Sequence, residues 1–317
     1  MNIPFLKKYQ PKIYKDFVID EQYVELLNTL KDMNNLNILL VGNPGCGKTS
    51  LIYATIREYY NLLKIPKDNI LLITNLKEQG IQYYRNEVKT FCQTPSIISG
   101  KKKFIILDDI DYINDQSQQV FRNCIDKYSH NVHFLSSCSN TQKVIDSLQS
   151  RCSIIKLKPF TKKKLKKIFK NITNSENLNI DKLAEKFILN LCNNSVRLLI
   201  NYLEKFKLLN IKITKEKVKE ICTNISYYEF EQYTEEWYKK KNLLKAINII
   251  NNVYKKGYSV MDIFDSYFMF IKICDILSDH EKFKVIKILL KYIAIFHTLH
   301  ESDIELALFT NEIYKLL

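Results

Sequence analysis

The chain of 317 residues, 46% hydrophobic and 26% charged, has room for two or three domains with a sizeable core and reads as an ordinary soluble protein. Its 48 basic and 34 acidic residues leave a net charge of +14, which fits a polyanionic partner without separating DNA, RNA and a lipid surface. Eight scattered cysteines with no C-x-x-C pair exclude a zinc clamp and a disulfide framework, and neither a membrane-spanning apolar run nor a signal-peptide pattern is present. These features predict reduced thiols and an intracellular protein with no membrane partner.

In chain order, the lead-in Pro4 to Pro11 (PFLKKYQP) carries aromatics that are candidates for lining a base pocket, and a short helix follows over Glu21–Asp32. The apolar run Asn37–Val41 then feeds Gly42-Asn43-Pro44-Gly45-Cys46-Gly47-Lys48-Thr49, and Ser50 continues into a helix that reaches about Leu63, before Pro66. This G-x-x-x-x-G-K-[ST] spacing between a strand and a helix is a P-loop. Its glycines let backbone N–H groups wrap phosphates, and the helix N-terminus adds its dipole. Lys48 is expected to reach the β- and γ-phosphates of a nucleoside triphosphate, and Thr49 to ligate Mg²⁺.

A buried strand is predicted over Asn69–Thr74, an amphipathic helix over Ile81–Phe91 and a strand over Phe104–Leu107 that ends in Asp108-Asp109-Ile110-Asp111. An NTPase needs an acidic strand tip here. Asp108 suits an outer-sphere carboxylate for the metal at the neighbouring strand tip, and Asp109 sits where a carboxylate can orient and activate water. A helix over Gln116–Tyr128 and strands over Val132–Ser137 and Ser153–Leu157 complete an alternation that predicts a parallel sheet of five strands with helices on both faces. Beyond Pro159 the pattern is helical. Lys162, Lys163, Lys164, Lys166 and Lys167 read as a solvated run, turns are expected at Asn193–Ser195, Gly257–Ser259 and Ser278–His280, and the five histidines lack metal spacing.

With GNPGCGKTS, LDDID, the SRC-type Leu148-Gln149-Ser150-Arg151-Cys152 and V-R-x-x-x-N at Val196 to Asn201, the chain resembles the small subunits of the sliding-clamp loader, replication factor C. The resemblance extends to Tyr9-Gln10-Pro11-Lys12 for the family's Y-R-P box, Gly80-Ile81 with Arg85 for R-G-I-x-x-x-R, Ser117 to Arg122 for A-Q-Q-A-L-R, and Gly257-Tyr258-Ser259 for G-Y-S. It implies an AAA+ P-loop ATPase domain over 1–158, a small helical lid over 159–224 and an all-α collar over 225–317. It also implies a pentameric ring that uses ATP and Mg²⁺ to open a ring-shaped clamp and place it on primer–template DNA, in a nucleus or in a viral or cytoplasmic replication compartment.

The same resemblance makes Gly42 through Ser50 the nucleotide cradle, Arg197 the sensor-2 arginine and Arg151 the arginine finger for a neighbour's nucleotide. Arg85, Lys89 and Arg122 become the candidates for contact with the DNA phosphates. The sequence also departs from the family. Asp109 replaces the usual glutamate, Gln10 replaces the box arginine, and Leu76, Lys77 and Gln79 replace Ser, Asp and Arg. Counting back from Ser-Arg-Cys without gaps puts Ser139 at the sensor-1 position. Either a one-residue shift restores Asn140 to its catalytic place or water positioning is altered. The alternatives are therefore an active motor subunit, a scaffold that binds ATP but hydrolyses it weakly, and another AAA+ DNA-processing ATPase.

Overall fold

The computed structural model describes residues 3–73, 82, 84–192, 194–209, 212–222, 225, 227–296 and 300–315. In chain order the main elements are α1 (Phe5–Lys8), α2 (Glu21–Asp32), β1 (Ile38–Val41), α3 (Lys48–Tyr60), β2 (Ile70–Ile73), α4 (Lys89–Gln93), β3 (Lys103–Leu107) and α5 (Asp115–Tyr128). They continue with β4 (Val132–Cys138), α6 (Asp146–Gln149), β5 (Ser153–Lys156), α7 (Lys162–Glu176), α8 (Lys182–Leu191), α9 (Val196–Leu209) and α10 (Lys215–Ile221). The last helices are α11 (Tyr227–Thr234), α12 (Leu243–Lys255), α13 (Val260–Ile273), α14 (Asp279–Ile295) and α15 (Ile304–Lys315). No described helix is long and apolar enough to cross a membrane.

The chain forms two compact units, residues 1–177 with 192–209 and residues 178–191 with 210–317. The first unit holds α7 and α9 with the sheet, and the second holds α8 and α10 with the C-terminal helices.

In the first unit all five strands are parallel, in the order β2-β3-β4-β1-β5. Successive side chains along a strand point to opposite faces, and both faces are covered. Leu39, Ile105, Leu107 and Phe134 pack with Val120, Phe121 and Ile125 of α5. Ile38, Leu40, Phe104, Ile106 and Leu135 pack with Leu51, Ile52 and Ile56 of α3. This double burial explains the continuous apolar runs. Helix boundaries are set locally: α3 ends at Asn61 in the left-handed region, and Asn114 caps α5 by accepting the N–H of Ser117.

The expected helix over Ile81–Phe91 is instead a π-helical turn over Tyr84–Val88 running into α4. The expected Gly80-Ile81 motif, Leu76, Lys77 and Gln79 lie outside the described residues.

His133 on β4 is 1% exposed, and its Nδ1 accepts the Leu36 N–H at 3.3 Å while Nε2–H faces Asn34 Oδ1 at 3.2 Å. The ring is thus neutral, and burial lowers its pKa to about 3. Stability from this group is complete above the unfolded value near 6.5 and is lost as pH falls toward 3, at about 1.4 kcal/mol per pH unit. Between pH 6.5 and 5 the unfolding free energy of the sheet unit is expected to fall by about 2 kcal/mol, and His133→Gln to abolish that slope. Denaturant melts over this window test it, and an unchanged slope in the variant refutes it.

In the second unit an aromatic core joins Phe230, Tyr233, Trp237, Phe264, Tyr267 and Phe309. Its polar tips are paired, with Tyr233 Oη 2.9 Å from Thr310 Oγ1 and Trp237 Nε1–H donating to Tyr267 Oη at 3.3 Å. Ser259 caps α13, and Ser278 with Glu281 forms a capping box on α14, at the two turns read from sequence.

Candidate nucleotide site

The loop between β1 and α3 is held at both ends, by the Gly42 N–H on Cys138 O at 3.2 Å and the Leu51 N–H on Gly47 O at 2.9 Å. Gly45 and Gly47 have φ of +76° and +92°, which side-chain-bearing residues rarely adopt. A Cβ on Gly45 would lie 2.4 Å from Ser195 Oγ and 3.3 Å from Arg197 Cβ, so the start of α9 abuts the loop and only glycine fits between them. Arg197, read as a lid arginine, is thereby placed beside the loop with its side chain exposed.

Lys48 is 7% exposed, and its ammonium donates to Gly42 O at 2.7 Å, Asn43 O at 3.4 Å and Ser139 Oγ at 3.4 Å. Thr49 Oγ1 lies 3.1 and 3.0 Å from the two carboxylate oxygens of Asp108. Ser50 Oγ accepts from Gln10 Nε2 at 3.3 Å, so the residue in place of the family's arginine reaches the start of α3.

One expectation needs correction. Asp108 is not on the strand next to β1, because β4 runs between β1 and β3. The gap is bridged by Ser137 on β4, which is fully buried, donates to Asp108 Oδ1 at 2.6 Å and accepts the Asp109 N–H at 2.9 Å. Sequence reading missed Ser137, since a serine near the end of an apolar strand carries no spacing signal of its own.

Asp109 has φ +53°, a left-handed backbone that costs a non-glycine residue about 1–3 kcal/mol. Partial burial, then the charge of Asp108 and after it that of Asp111, raise its carboxyl pKa, while Lys48 and Arg197 act in the opposite direction. Asp111 Oδ2 accepts the N–H groups of Ser139 at 3.1 Å and Asn140 at 3.2 Å, fixing the turn after β4. Asn140 Oδ1 accepts the Gln142 N–H at 2.9 Å and caps its own 3-10 turn. Among the described residues, Ser139 and not Asn140 is brought to Lys48, which is the outcome of the gap-free count.

Gln118 is also in place. It is fully buried, donates to Ile113 O and Lys143 O and accepts the Ile145 N–H, so it ties α5 to the loops after β3 and β4.

The aromatics of Pro4–Pro11 do not line the nucleotide loop. Tyr9 Oη donates to Glu176 Oε1, and the Phe5 N–H donates to Glu204 Oε1 at 3.1 Å. The apolar slot against the loop is built instead by Phe17, Ile19, Tyr23, Leu51, Leu157 and Phe160, beside Cys46 and Gly47.

Arg151 lies away from the loop. Its Nε donates to Asp126 Oδ1 at 2.7 Å, and its Nη1 donates to Ser147 O at 2.9 Å and Ser150 Oγ at 3.0 Å. Arg122 lies 3.2 Å from the other oxygen of Asp126. Arg85 and Lys89 are exposed on the π turn and the start of α4.

Mg²⁺ fits the donor chemistry of Thr49 and Asp108, a hydroxyl and a carboxylate, both hard oxygen donors. No group of three His, Cys, Asp or Glu side chains that could hold a metal is found among the described residues.

Residues 38–160 match the family model of the ATPase family associated with various cellular activities (AAA). The chain is 27% identical over 288 residues to a replication factor C small subunit of Methanococcus maripaludis, covering 90% of each protein. It is 28% identical over 274 residues to replication factor C subunit 3 of Oryza sativa, covering 84% of this chain and 75% of that protein. Among solved structures it is similar to the RuvB Holliday junction branch migration motor of Thermotoga maritima. That match has a TM-score of 0.53 and 16% identity over 74% of this chain and 80% of that one, a likeness of fold alone.

Proposed function

Since residues 38–160 belong to the AAA family of ATPases and the chain is a homologue of replication factor C small subunits over most of its length, we propose that it is one small subunit of a sliding-clamp loader. In this reading ATP binding and hydrolysis drive a pentameric ring that opens a ring-shaped clamp and sets it on primer–template junctions. The division into ATPase (1–158), lid (159–224) and collar (225–317) belongs to the same proposal.

The observation that carries the reading is the chain of contacts Thr49–Asp108–Ser137 beside the Lys48 ammonium. Backbone N–H groups of Gly45 to Ser50 and the Lys48 ammonium grip the phosphates, and the slot formed by Phe17, Ile19 and Tyr23 takes the base. Thr49 and Asp108 hold Mg²⁺, which when bound neutralises charge on the phosphate oxygens. Asp109 orients the attacking water and accepts its proton, while Lys48 and Ser139 hold the phosphate side of the site. Arg197 steadies the nucleotide from α9. Arg151 completes the site of the adjoining subunit.

Arg85, Lys89 and Arg122 follow the DNA phosphates, so log K for DNA falls with log salt at about 0.9 per phosphate neutralised on duplex. A specific observation favours the scaffold variant of this function as the second reading. Asp109 is one methylene shorter than the family's glutamate, and Ser139 stands where an amide is usual.

The test is purification of the chain with its natural partners, followed by ATP turnover with and without primed template. Related ATPases should co-purify, and turnover should rise on primed DNA. A chain that elutes alone and responds to no primed template overturns the proposal.

A further inference from the structure

We propose that Asp126 is the positioning residue of Arg151, setting the direction in which that guanidinium is presented. The proposal rests on the reading of Arg151 as an arginine that completes a neighbouring site.

The geometry is specific. Arg151 follows α6, and its guanidinium is held from two sides, by Asp126 Oδ1 on Nε at 2.7 Å and by Ser147 O and Ser150 Oγ on Nη1 at 2.9 and 3.0 Å. Its Nη2 has no protein partner among the described residues, so the planar group is fixed with the Nη2 tip presented. Of the three partners only Asp126 carries charge. It also comes from a different element, the last turn of α5, and thus ties the direction of Arg151 to that helix.

The Asp126 carboxylate is itself held. Its second oxygen lies 3.2 Å from Arg122 Nη2 one helical turn earlier, and Arg122 Nη1 is anchored on Asn123 Oδ1 at 2.9 Å. Arg122 and Arg151 therefore share one carboxylate, which cannot turn toward either without loosening the other. The side chains are 32%, 40% and 30% exposed for Arg122, Asp126 and Arg151, so the bridge adds little to stability and its value is directional. A guanidinium displaced by about 1 Å from a developing charge loses on the order of 10²-fold in rate.

The experiment uses the complex that co-purifies with the chain, carrying Asp126→Ala, Asp126→Asn, Asp126→Glu or Arg151→Ala, and the double variant Asp126→Ala with Arg151→Ala. Asp126→Ala should lower kcat for ATP by about 10- to 100-fold with KM changed less than about twofold, and Asp126→Glu should recover most of it. Asp126→Asn, which keeps an acceptor but no charge, should fall between them.

The decisive readout is coupling: in the Arg151→Ala background, removal of Asp126 should have no further effect. A structural role would slow both backgrounds equally and would lower the melting temperature as well. If Arg151→Ala slows turnover and the Asp126 effect is absent or fully additive, this inference fails while the reading of Arg151 stands. If Arg151→Ala leaves turnover unchanged, the reading of Arg151 fails and takes this inference with it.

Discussion

Assembled with its partner subunits, a chain carrying Arg151→Ala is expected to turn over ATP about 10³-fold more slowly at the site it completes, while its own P-loop still binds nucleotide. The separation follows from position. Lys48, Thr49 and Asp108 gather at the loop, whereas the contacts of Arg151 go to Asp126, Ser147 and Ser150. A guanidinium brought to a γ-phosphate acts on charge that develops in the transition state, so its removal should fall on kcat and leave ground-state affinity nearly intact. Arg151→Lys should not restore the rate, because a point charge on a flexible stem lacks the planar fork that Asp126 and Ser147 orient. Single-turnover hydrolysis in the assembled complex, with nucleotide binding to the isolated variant measured in parallel, checks both halves. Loss of nucleotide binding by the isolated Arg151→Ala chain would place the arginine at its own site and refute the assignment.

What the sequence made legible was what local chemistry dictates. A P-loop is a run of adjacent residues whose glycines and lysine serve one ligand, so its spacing carries its meaning. The strands at Ile38–Val41 and Lys103–Leu107 showed as unbroken apolar runs because both faces of the sheet are covered.

Strand order is a different kind of property. Nothing in β1, β3 or β4 states that β4 lies between the other two, and with that order hidden, Ser137 could not be recognised as the bridge to Asp108. The same blindness affected the apolar slot beside the loop. Phe17 to Tyr23 and Leu157 to Phe160 are far apart in sequence and meet only because β5 pairs with β1 beside the loop. Ser139 and Asn140 were ambiguous for a third reason. They are adjacent, and what separates them is the turn of backbone that Asp111 pins, which sends Asn140 to cap Gln142 and leaves Ser139 at Lys48. The π-helical turn at Tyr84–Val88 interrupts a helical period that by itself looks continuous.

Asp109→Asn is expected to reduce ATP turnover in the assembled complex by about 10²-fold or more, the usual worth of a positioned general base, with nucleotide affinity nearly unchanged. Affinity should survive because the phosphate and metal contacts are proposed for Lys48, Thr49 and Asp108, which gather at the loop without Asp109, and the amide keeps the shape of the residue it replaces. The pH dependence follows from the sign of the Asp109 shift. With its pKa raised by partial burial and by the charges of Asp108 and Asp111, the carboxyl protonates at a higher pH than an ordinary aspartate. The acid limb of kcat/KM, which reports the free enzyme, should therefore begin at a higher pH than an ordinary aspartate would give and should be missing in the Asn variant.

Asp109→Glu gives the complementary result. Aspartate tolerates the left-handed backbone at φ +53° better than glutamate does, so the exchange adds a methylene of reach against a modest backbone cost. A rise in turnover means that the short aspartate limits a working motor. Equal rates for the natural chain and the Asn variant would mean that this site holds ATP without hydrolysing it. In that case the hydrolytic role of Asp109 is refuted, and the scaffold reading of the chain is the one that stands.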